Sequence, residues 1–422
     1  MPEYKAPRGT MDVLPTESCK WQYIEGVFRE TCRRCGFSEI RTPTFEHTEL
    51  FTRNLGETTD VVTKEMYSFE SRSGRSLTLR PEGTAPSMRA FVEHNLQSVL
   101  PFAKMYYIAR LFRYERPQAG RYREHTQLGV ECVGQESPRA DAEVISLAAG
   151  FLRAVGVSEY VLKLNSIGCP ECRPRYREAL TAYAGERLDE LCPVCRGRYE
   201  RNPLRMLDCK EPGCQKALAG APALTDYLCD GCREHFAGLR EALDGLGIAY
   251  TIDKNLVRGF DYYTKTAFEF VSGGLGAQNA IGGGGRYDDL ISELGHAPTP
   301  AIGFGIGLER LILTLEAMGV SLPVSDEPQV YMVAAGDSAQ KTCLMLAHSL
   351  REAGVRAETD FTGRSIKAQM KTAGKMNARF AVIIGDNEIA SGQAAVKDMQ
   401  TGVQDTQDFD RLAGYIQARS QH

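Results

Sequence analysis

The sequence contains no uninterrupted run of about 18 apolar residues, which is the length that a membrane-spanning helix requires. Its first residues, MPEYKAPRGTMDVLP, hold no apolar stretch of the kind found in secretory signals. Internal repeats and low-complexity segments are also absent. With 43% hydrophobic and 25% charged residues, the composition is that of a globular protein. We therefore expect a cytoplasmic protein without a membrane partner.

Two common nucleotide-binding motifs are missing as well. No Gly-x4-Gly-Lys-Ser/Thr phosphate loop occurs, and the third glycine of GFGIGLERLIL, residues 303–313, comes one residue too early for the dinucleotide fingerprint. The number of cysteines, 13, is odd, which argues against a disulfide framework in a cytosolic chain. The net charge of -4 neither favours nor excludes a nucleic-acid partner, because local cationic patches bind phosphate on mildly acidic proteins.

Hydrophobic periodicity predicts the main elements of the N-terminal part. Residues 17–35 carry apolar side chains from Trp21 to Cys32 at helical spacing. The following FSEIRTPTF is typical of a strand, and Pro43 within it indicates a strand edge or a bulge. Residues 77–134 predict the order strand, helix, strand and strand.

Composition divides the rest of the 422 residues into segments. A shift to cysteine, arginine and short helical pieces indicates an inserted module, and residues 319–328 read as a linker. Alternating strands and helices after it predict an α/β domain of about 95 residues with a largely parallel sheet. The predicted domains are a first domain in two parts, 1–167 and 246–320, the inserted module, 168–245, and a C-terminal domain, 329–422.

The segment LFRYERPQAGRYREHTQLGVE, residues 111–131, holds four arginines and three glutamates. We interpret it as two strands joined by RPQAG, and side chains alternate between the faces of a strand. One face would carry Arg113 and Glu115 on the first strand and Arg121, Arg123, His125, Gln127, Gly129 and Glu131 on the second. The opposite face would carry Tyr122, Leu128, Val130 and Cys132 toward a core. The missing side chain at Gly129 predicts a seat for a small ligand, although a solvated outer face would show the same alternation.

Three further stretches offer groups suited to a charged ligand. LRPEGTAPSMRAF, residues 79–91, places Glu82 and Thr84 at a turn before a helix, where they either hold an ammonium group or cap the helix. LVRGFDYYTKTAFEF, residues 256–270, offers a permanently charged arginine and two tyrosines, which are alternatively core residues. In GFGIGLERLIL, alternate glycines would leave a bare strand face on which a planar ring can lie.

Together these residues resemble a known family. Arg113 and Glu115 in a strand–loop–strand resemble motif 2 of the class II aminoacyl-tRNA synthetases, and GFGIGLER resembles motif 3. The first helix and the strand with Pro43 resemble motif 1, the dimerisation element. LVRGFDYY and GGGRYDDL are similar to the two signature boxes of the histidyl-tRNA synthetase family, which RGTMDVLP and LRPEGTA also match. The resemblance implies an α+β protein with a catalytic domain on an antiparallel sheet, an inserted module and a C-terminal α/β anticodon-binding domain.

The resemblance also implies the reaction and its partners. L-Histidine would be activated by ATP to histidyl-adenylate and transferred to the 3′ end of tRNA(His). Mg²⁺ would accompany ATP, the enzyme would be a homodimer, and no protein nucleophile would be needed. Adenylate formation requires cations aimed at phosphates and polar groups aimed at an amino acid, all placed in advance on a rigid surface.

The roles of single residues follow from the same resemblance. Arg113 and Arg258 are the implied catalytic residues and approach the α-phosphate from two sides. The implied ATP-binding residues are Arg113, Glu115, Arg121, His125, Gly303, Gly305, Gly307 and Arg310. The implied histidine-binding residues are Glu82, Gly83, Thr84, Arg113, Gln127, Glu131, Arg258, Tyr262 and Tyr263. Glu131 and Tyr263 would bond the two imidazole nitrogens. His125 departs from the family, which usually has a phenylalanine that stacks on adenine.

A basic stripe in the C-terminal domain points to RNA. In GRSIKAQMKTAGKMNARF the cations recur at intervals of three or four residues, which places them on one helical face, with Ile366, Met370, Ala373 and Asn377 on another. The stripe consists of Arg364, Lys367, Lys371, Lys375 and Arg379. Its functional interpretation is a phosphate-binding surface for tRNA, and the alternative is an ordinary solvated face.

Eight of the cysteines form four close pairs in the inserted module. The pairs are Cys169 with Cys172, Cys192 with Cys195, Cys209 with Cys214, and Cys229 with Cys232. Their spacings suit structural zinc, and eight thiolates would make two four-cysteine sites whose pairing the spacing leaves open. Reduced buried thiols, or ordinary packing around Leu180, Leu191, Leu204, Leu207 and Leu228, are the alternatives. Since the family needs no zinc for its chemistry, the hypothesis is a structural ion outside the active site.

Two other functions remain to be weighed. A catalytically inactive paralogue that regulates ATP phosphoribosyltransferase would resemble the catalytic domain but would lack the anticodon domain and the active-site arginines. A zinc-stabilised RNA-binding protein would have no reason to keep LVRGFDYY. This chain has Arg113, Arg258, Arg310 and the basic C-terminal segment, which disfavours both.

Overall fold

The computed structural model describes residues 4–56, 59–100, 102–118, 120–273 and 280–420. The chain forms two compact units, Met1–Pro323 and Val324–His422. In the described ranges, no helix is both long enough and apolar enough to cross a membrane.

The first unit begins with the predicted helix, α1, at Pro15–Arg34, which buries Trp21, Ile24, Phe28 and Cys32. The single strand predicted around Pro43 is wrong. Two short strands occur instead, β1 at Ser38–Glu39 and β2 at Phe45–His47, and they belong to different sheets. Pro43 lies between them, where the missing N–H removes no ladder hydrogen bond.

The next elements confirm the predicted order of strand, helix, strand and strand. They are α2 at Thr48–Asn54, β3 at Tyr67–Glu70, β4 at Ser76–Leu79, α3 at Thr84–Glu93, α4 at Leu96–Val99, β5 at Ala103–Phe112, β6 at Glu124–Val133 and α5 at Pro138–Ala154. Strands β2, β4 and β3 form a small antiparallel sheet. Because β5 ends at Phe112 and β6 begins at Glu124, Arg113, Glu115 and Arg121 lie in the connection rather than on the strands.

An eight-stranded sheet forms the core of the first unit. Its remaining elements are β7 at Val161–Ser166, β8 at Thr251–Ile252, β9 at Thr264–Val271, β10 at Ala280–Arg286, α10 at Leu290–Glu293, β11 at Ala301–Gly307 and α11 at Leu308–Ala317. The strand order is β1-β5-β6-β11-β10-β9-β7-β8, and every pairing from β5 to β7 is antiparallel. The antiparallel sheet that the resemblance implied is therefore confirmed.

Helices α1 and α5 cover one face of this sheet. Phe28 of α1 packs edge-on against Tyr106 of β5 and Phe151 of α5, with ring centroids 5.8 and 5.1 Å apart. Leu128, Val130 and Cys132 of β6 join the same core, as the alternation of side chains predicted. The other face of β6 therefore points away from this core, toward a polar cavity.

The segment from 168 to 245 consists of short helices, as its composition predicted. These are α6 at Cys172–Gly185, α7 at Pro193–Arg201, α8 at Pro212–Leu218 and α9 at Asp230–Gly245, with 3-10 turns between them. Leu180, Leu191, Leu207 and Leu228 are buried in it.

A buried ionic network ties α9 to the sheet. The carboxylate of Asp141 on α5 accepts hydrogen bonds from Arg286, from Thr266 at 2.5 Å and from His235 on α9 at 2.8 Å. The Asp141 and Arg286 side chains are both fully buried, and Asp288 lies 3.0 Å from the guanidinium. Such a pair is sensitive to the loss of one partner, because an uncompensated charge then remains in the interior.

The second unit is a five-stranded sheet with helices. Its elements are β12 at Val330–Ala334, α12 at Asp337–Glu352, β13 at Ala357–Thr359, α13 at Ile366–Lys375, β14 at Phe380–Ile384, α14 at Asp386–Ser391, β15 at Gln393–Asp398, β16 at Gln404–Asp408 and α15 at Leu412–Ser420. Its order is β13-β12-β14-β15-β16. Among these described strands, only the pairings of β12 are parallel, so the prediction of a largely parallel sheet is wrong. The sequence analysis missed helix α14 and strand β16, which forms a hairpin with β15. Both elements are short and polar, so they show no hydrophobic periodicity.

Replacing Asp141 by alanine should lower the free energy of unfolding of the first unit by about 3–5 kcal/mol, because the buried Arg286 guanidinium loses its main partner. Trp21, the only tryptophan in the sequence, lies in this unit, and its fluorescence in urea reports the transition. Asp230→Ala is the control, since this carboxylate is 87% exposed and pairs with the exposed Arg233. Equal unfolding midpoints for the two variants would contradict the role of the network.

Candidate active site

A cavity of about 940 Å³ lies on the sheet face opposite α1 and α5. All the residues assigned above to ATP or histidine line it, with the exceptions of Gly83 and Glu131. Gly83 is the N-cap residue of α3, and Glu131 contacts the lining residue Thr84, whose hydroxyl donates to its carboxylate at 2.7 Å. The structure therefore brings residues from four separate stretches of the sequence into one place.

Glu82 caps helix α3 and also lines the cavity. Its two carboxylate oxygens accept the backbone N–H groups of Thr84 at 2.6 Å and Ala85 at 2.8 Å. The capping interpretation is therefore confirmed, and ammonium binding stays a prediction for a side chain that also lines the cavity. Burial raises the pKa of Glu82, while these N–H groups and the charge of Arg113 oppose the rise. A carboxylate fixed in this way keeps free lone pairs for a ligand cation.

Glu131 is buried beneath the cavity and is 1% exposed. Its second oxygen accepts a hydrogen bond from the hydroxyl of Tyr287, a residue that sequence reasoning did not assign to the site. Burial raises the pKa of Glu131 to about 8, although the hydrogen bonds from Tyr287 and Thr84 act in the opposite direction. Near neutral pH this carboxyl group is therefore close to its titration point, and it can either accept or donate a hydrogen bond.

The predicted gap at Gly129 is occupied by the ring of Tyr107, which was also missed. Tyr107 stands opposite Gly129 in the β5–β6 register, and a Cβ at position 129 would collide with this ring. The Tyr107 hydroxyl donates to the Gln127 amide oxygen at 2.8 Å. The prediction of an empty ligand seat at Gly129 is therefore wrong, because the space above this glycine is filled by the side chain of Tyr107. Tyr107 lies an even number of positions before Arg113, so strict alternation would have placed both side chains on the same face and could have identified Tyr107 as a site residue.

The glycines of β10 also leave space for neighbouring side chains to lie against the strand. A Cβ at Gly283 would lie 2.9 Å from Nη1 of Arg258, and one at Gly285 would lie 2.9 Å from the ring of Tyr263. On β11, a Cβ at Gly303 would collide with the Glu131 carboxylate. The bare floor predicted from the glycines of β11 is therefore covered at Gly303 by a side chain from the adjacent strand.

Arg258 lies over β10 and is loosely paired with Glu269. Its side chain is 18% exposed, and its Nη1 lies 3.4 Å from the carboxylate of Glu269. Among the described residues, its buried Nε has no hydrogen-bond partner. The guanidinium group also lies 5.6 Å from the centre of the Tyr263 ring. A buried donor without an acceptor is the feature expected where a ligand oxygen completes the site.

The other arginines are fixed mainly by backbone oxygens. Arg113 donates to the carbonyl of Pro81 at 2.7 Å, and its guanidinium lies 3.9 Å from Glu115. Arg310 donates to the carbonyls of Ala280 at 2.9 Å and Gly120 at 3.2 Å. Arg121 lies 3.3 Å from Glu115 and is the more exposed member of that pair. Because carbonyl groups carry no net charge, they orient the guanidinium groups of Arg113 and Arg310 without neutralising them.

The connection between β5 and β6 does not follow the predicted alternation throughout. Tyr122 lies before the strand and lines the cavity, so its placement toward the core is wrong. Arg123 was predicted on the ligand face, but it stacks on the ring of Tyr114 at 3.8 Å and does not line the cavity. Alternation applies only where the backbone is extended and paired.

His125 and Glu309 are titratable groups in the wall of the cavity. Burial, followed by the charges of Arg113 and Arg310, lowers the pKa of His125 to about 3. Glu309, which sequence reasoning missed, accepts the backbone N–H of Thr126 at 2.7 Å, and burial raises its pKa to about 7. His125 is therefore an uncharged aromatic ring at neutral pH, and the cations around it favour this state.

The helical segment 168–245 contributes one wall. Arg198 and Arg205 line the cavity, and their guanidinium groups lie 3.6 and 3.5 Å from Asp60. Lys210 lines it as well. Composition had indicated a separate module, and nothing in the sequence pattern connected it to the site, because the contact depends on tertiary packing.

The eight cysteines of this segment come together in two groups of four. Cys169, Cys172, Cys229 and Cys232 form the first group, and Cys192, Cys195, Cys209 and Cys214 form the second. Within each group all sulfur atoms lie within 4.8 Å of one another, so either group could hold a metal ion. Cys192 and Cys209 line the cavity, and the expectation that all eight lie away from it is therefore wrong for the second group.

The predicted basic stripe of the second unit is shorter than its spacing suggested. Arg364 and Arg379 lie outside α13 and pair with Asp360 at 2.5 Å and Asp398 at 2.7 Å. The exposed stripe on α13 consists of Lys367, Lys371 and Lys375. The buried face carries Gln369 and Ala373, while Ile366 and Asn377, which were predicted to share an apolar face with Met370, are exposed. The Gln369 amide bonds both backbone groups of Ala334 at 2.9 Å, which fixes the helix and turns the lysines to solvent.

Comparison with known proteins gives consistent results. The family model described as "Histidyl-tRNA synthetase" matches residues 9–172 and 174–311, and the model described as "Anticodon binding domain" matches residues 329–419. The histidine--tRNA ligase of Caldanaerobacter subterraneus subsp. tengcongensis is 53% identical over 398 residues, which are 94% of this chain and 95% of that protein. The histidine--tRNA ligase of Desulforamulus reducens is 51% identical over 414 residues, or 98% and 99% of the two chains.

A solved structure shows the same fold. Apo histidyl-tRNA synthetase of S. aureus is similar to this chain with a TM-score of 0.82 and 38% sequence identity. The match covers 98% of this chain and 99% of that chain. The likeness therefore extends over both compact units and is not limited to the sheet around the cavity.

In ligand-free protein, His125 should show no titration between pH 8 and pH 5, because burial and two cations keep its pKa near 3. The pKa of a histidine in the unfolded chain is about 6.5, so below that pH the unfolded protein binds a proton at His125 that the folded protein does not. The free energy of unfolding therefore falls as the pH is lowered from about 6.5 toward 3. Carbon-13 NMR of labelled histidine measures this, with His125→Phe to identify the resonance and protein in urea as the control. A midpoint near pH 6.5 for His125 in the folded protein would contradict the prediction.

Proposed function

This chain belongs to the histidyl-tRNA synthetase family, and we propose that its polar cavity is the place where L-histidine and ATP react. The chain is a class II tRNA-aminoacylating enzyme: it uses ATP to activate histidine as histidyl-adenylate and transfers it to tRNA. The observation that carries the proposal is that one cavity is lined by Arg113, Arg258 and Arg310 together with the buried Glu82, and that the carboxyl group of Glu131 is buried beneath it.

Arg113 and Arg258 bind the reacting α-phosphate and the substrate carboxylate. In this reaction a carboxylate oxygen of histidine attacks the α-phosphorus of ATP, the bond to the bridging oxygen breaks, and pyrophosphate leaves. Negative charge accumulates on the α-phosphate oxygens as this happens, and fixed guanidinium groups stabilise it. The unpartnered Nε of Arg258 and the carbonyl-anchored guanidinium of Arg113 support these roles. Arg310 binds the distal phosphates.

The histidine subsite is built from two carboxylates, an amide and tyrosines. Glu82, Thr84 and Gln127 bind the ammonium group, and Glu131 with Tyr263 binds the two ring nitrogens. A carboxyl group with a pKa of about 8 can bond an imidazole nitrogen in either protonation state. A site that bonds both nitrogens rejects amino acids that lack them, because its own buried groups would be left unpaired.

The nucleotide base stacks on His125, whose uncharged ring supplies an aromatic surface. Glu115, Arg121 and the glycines Gly303, Gly305 and Gly307 complete the ATP subsite. Carboxylate oxygens are the protein ligands that Mg²⁺ prefers, and Glu115 and Glu269 both line the cavity. One buried oxygen of Glu115 has no hydrogen-bond partner in the described parts of the chain, although it lies 3.3 Å from Nη1 of Arg121. Glu115 and Glu269 would hold an ion that accompanies ATP. Such an ion would neutralise phosphate charge.

The enzyme acts as a homodimer and recognises tRNA(His) partly through the second unit. Helix α1 and the Pro43 segment resemble the dimerisation motif of the class. Phe45 and Phe69 of the adjacent small sheet are 49% and 44% exposed and pack against each other, which supports a surface that a second copy covers. The exposed lysines of α13 supply cations for the phosphates of the tRNA.

A regulatory subunit of ATP phosphoribosyltransferase is the weaker alternative. Such a protein has no use for Arg113, Arg258 and Arg310 in one cavity, or for an anticodon-binding domain. The two relatives described above are both ligases by name and match almost the full length of the chain.

Arg258→Ala should reduce histidine-dependent exchange of pyrophosphate into ATP by about 10²–10³-fold, because a cation on the reacting phosphate is lost. Circular dichroism and the urea midpoint should change little, since Arg258 is paired only loosely with Glu269. Arg233→Ala, at a 64% exposed position, is the matched control and should exchange at the parent rate. Exchange by the Arg258 variant within a few-fold of the parent would refute its assignment.

Changing Lys371 and Lys375 to glutamate should weaken aminoacylation of tRNA and leave pyrophosphate exchange unchanged, because only the macromolecular substrate meets the second unit. The slope of tRNA affinity against salt should fall by roughly one unit for each lysine that no longer neutralises a phosphate. Lys341→Glu with Arg411→Glu makes the same change in charge elsewhere in this unit and serves as the control. Equal losses of both activities, or no change in either, would show that the stripe does not bind tRNA.

A further inference from the structure

The arrangement of the first cysteine group matches tetrahedral coordination of one ion. Cys169 Sγ lies 3.6 Å from Cys172 Sγ and 3.8 Å from Cys229 Sγ. Four thiolates around one zinc ion, each with a zinc–sulfur bond of about 2.3 Å, place their sulfur atoms about 3.8 Å apart. Both of these separations are close to that value, and all four sulfur atoms lie within 4.8 Å of one another.

The second group repeats this geometry with different elements. Cys192 Sγ and Cys209 Sγ are 3.9 Å apart, and Cys195 and Cys214 are 0% and 1% exposed. Cys192 is the N-cap residue of α7, and Cys214 lies in α8. Two groups of four sulfur atoms thus converge independently, each from two short sequence pairs.

Backbone N–H groups point at the sulfur atoms in both groups. The N–H of Cys229 donates to Cys172 Sγ at 3.1 Å. In the second group, the N–H of Cys192 donates to Cys214 Sγ at 3.1 Å, and that of Cys195 to Cys192 Sγ at 3.4 Å. Donors aimed at sulfur favour the negatively charged thiolate, which is the form that binds metal.

The remaining five cysteines provide an internal contrast. Cys32, Cys132 and Cys343 are packed singly among apolar side chains of the cores, as ordinary buried thiols are. Cys19 and Cys35 are half-buried and join neither group. Among the described residues, groups of four sulfur atoms therefore occur only in the helical segment 168–245. The distances of 3.6–3.9 Å also exceed the disulfide bond length of about 2.05 Å.

We propose that the protein carries two structural zinc ions, one held by Cys169, Cys172, Cys229 and Cys232 and the other by Cys192, Cys195, Cys209 and Cys214. Four thiolates in tetrahedral geometry select zinc or iron–sulfur centres. An iron–sulfur cluster holds its cysteines farther apart than these groups do, because its own iron and sulfide atoms lie between them. A single zinc ion fits each group.

The two ions would have different structural consequences. The first connects the start of α6 to the start of α9 and so closes the whole segment onto itself. The second fixes the start of α7, which leads to Arg198 and Arg205 and their contacts with Asp60 in the cavity wall. Short helices with little continuous core are the kind of structure that metal ions commonly stabilise.

Elemental analysis of the full-length protein, purified without chelator and with all thiols reduced, should give two zinc ions per chain. X-ray absorption at the zinc edge of this unaltered protein should show four sulfur neighbours at about 2.3 Å. Less than about a tenth of a zinc per chain, iron in place of zinc, or nitrogen and oxygen neighbours would overturn the proposal. These measurements do not depend on catalysis, so they can fail while the enzyme assignment stands.

Cysteine variants test the pairing. Cys169→Ser with Cys172→Ser should retain one zinc per chain, and Cys192→Ser with Cys195→Ser should also retain one. Cys19→Ser with Cys35→Ser is the matched control and should retain two, since neither residue belongs to a group. If a variant does not fold, the metal released by a thiol-specific mercurial from unaltered protein gives the count, with two zinc ions expected for eight thiols. Release of a single zinc would contradict two separate sites.

Discussion

The fold has to hold unlike charges close together without letting them neutralise one another. Arg113 and Arg310 meet this condition through backbone carbonyls, which orient the guanidinium groups and carry no net charge. Glu82 is held by backbone N–H groups in the same way. A cation and a carboxylate that collapsed onto each other would leave nothing for a ligand to bind. Because backbone groups provide the anchors, the surrounding sheet has to be rigid, and the positions of its strands determine the chemistry.

Two features of the sheet supply this rigidity and the necessary space. The antiparallel ladder from β5 to β7 fixes the register, and glycines on β6, β10 and β11 let bulky side chains lie directly on the backbone. Tyr107 over Gly129 and Arg258 over Gly283 are the clearest cases. On the other side of the sheet, the buried Asp141–Arg286 pair attaches α5 to the end of β10, and His235 brings α9 into the same network. The chemical groups and the scaffold are therefore parts of one packed structure.

The sequence predicted the elements with strong periodicity and most of the pocket. Helix α1, the strands around Arg113 and the antiparallel sheet were predicted correctly, because each has a clear hydrophobic pattern or a specific motif. What it missed depends on contacts between distant segments. The hydroxyl of Tyr287 donates to Glu131, which lies 156 residues earlier in the sequence. Arg205 in the cavity wall comes from the helical segment 168–245. The pairing of the cysteine pairs depends on their positions in space. Arg364 and Arg379 fitted a helical period, but α13 begins after Arg364 and ends before Arg379.

The central claim is that the charges in this cavity are arranged for one amino acid and one nucleotide. Exchange of labelled pyrophosphate into ATP by the unaltered protein tests it most directly, since it measures adenylate formation without tRNA. With each of the 20 amino acids supplied in turn, we expect exchange with histidine alone, because the binding that we propose at Glu131 and Tyr263 requires two polar ring nitrogens. No exchange with histidine, or comparable exchange with an amino acid that lacks an imidazole ring, would contradict the account.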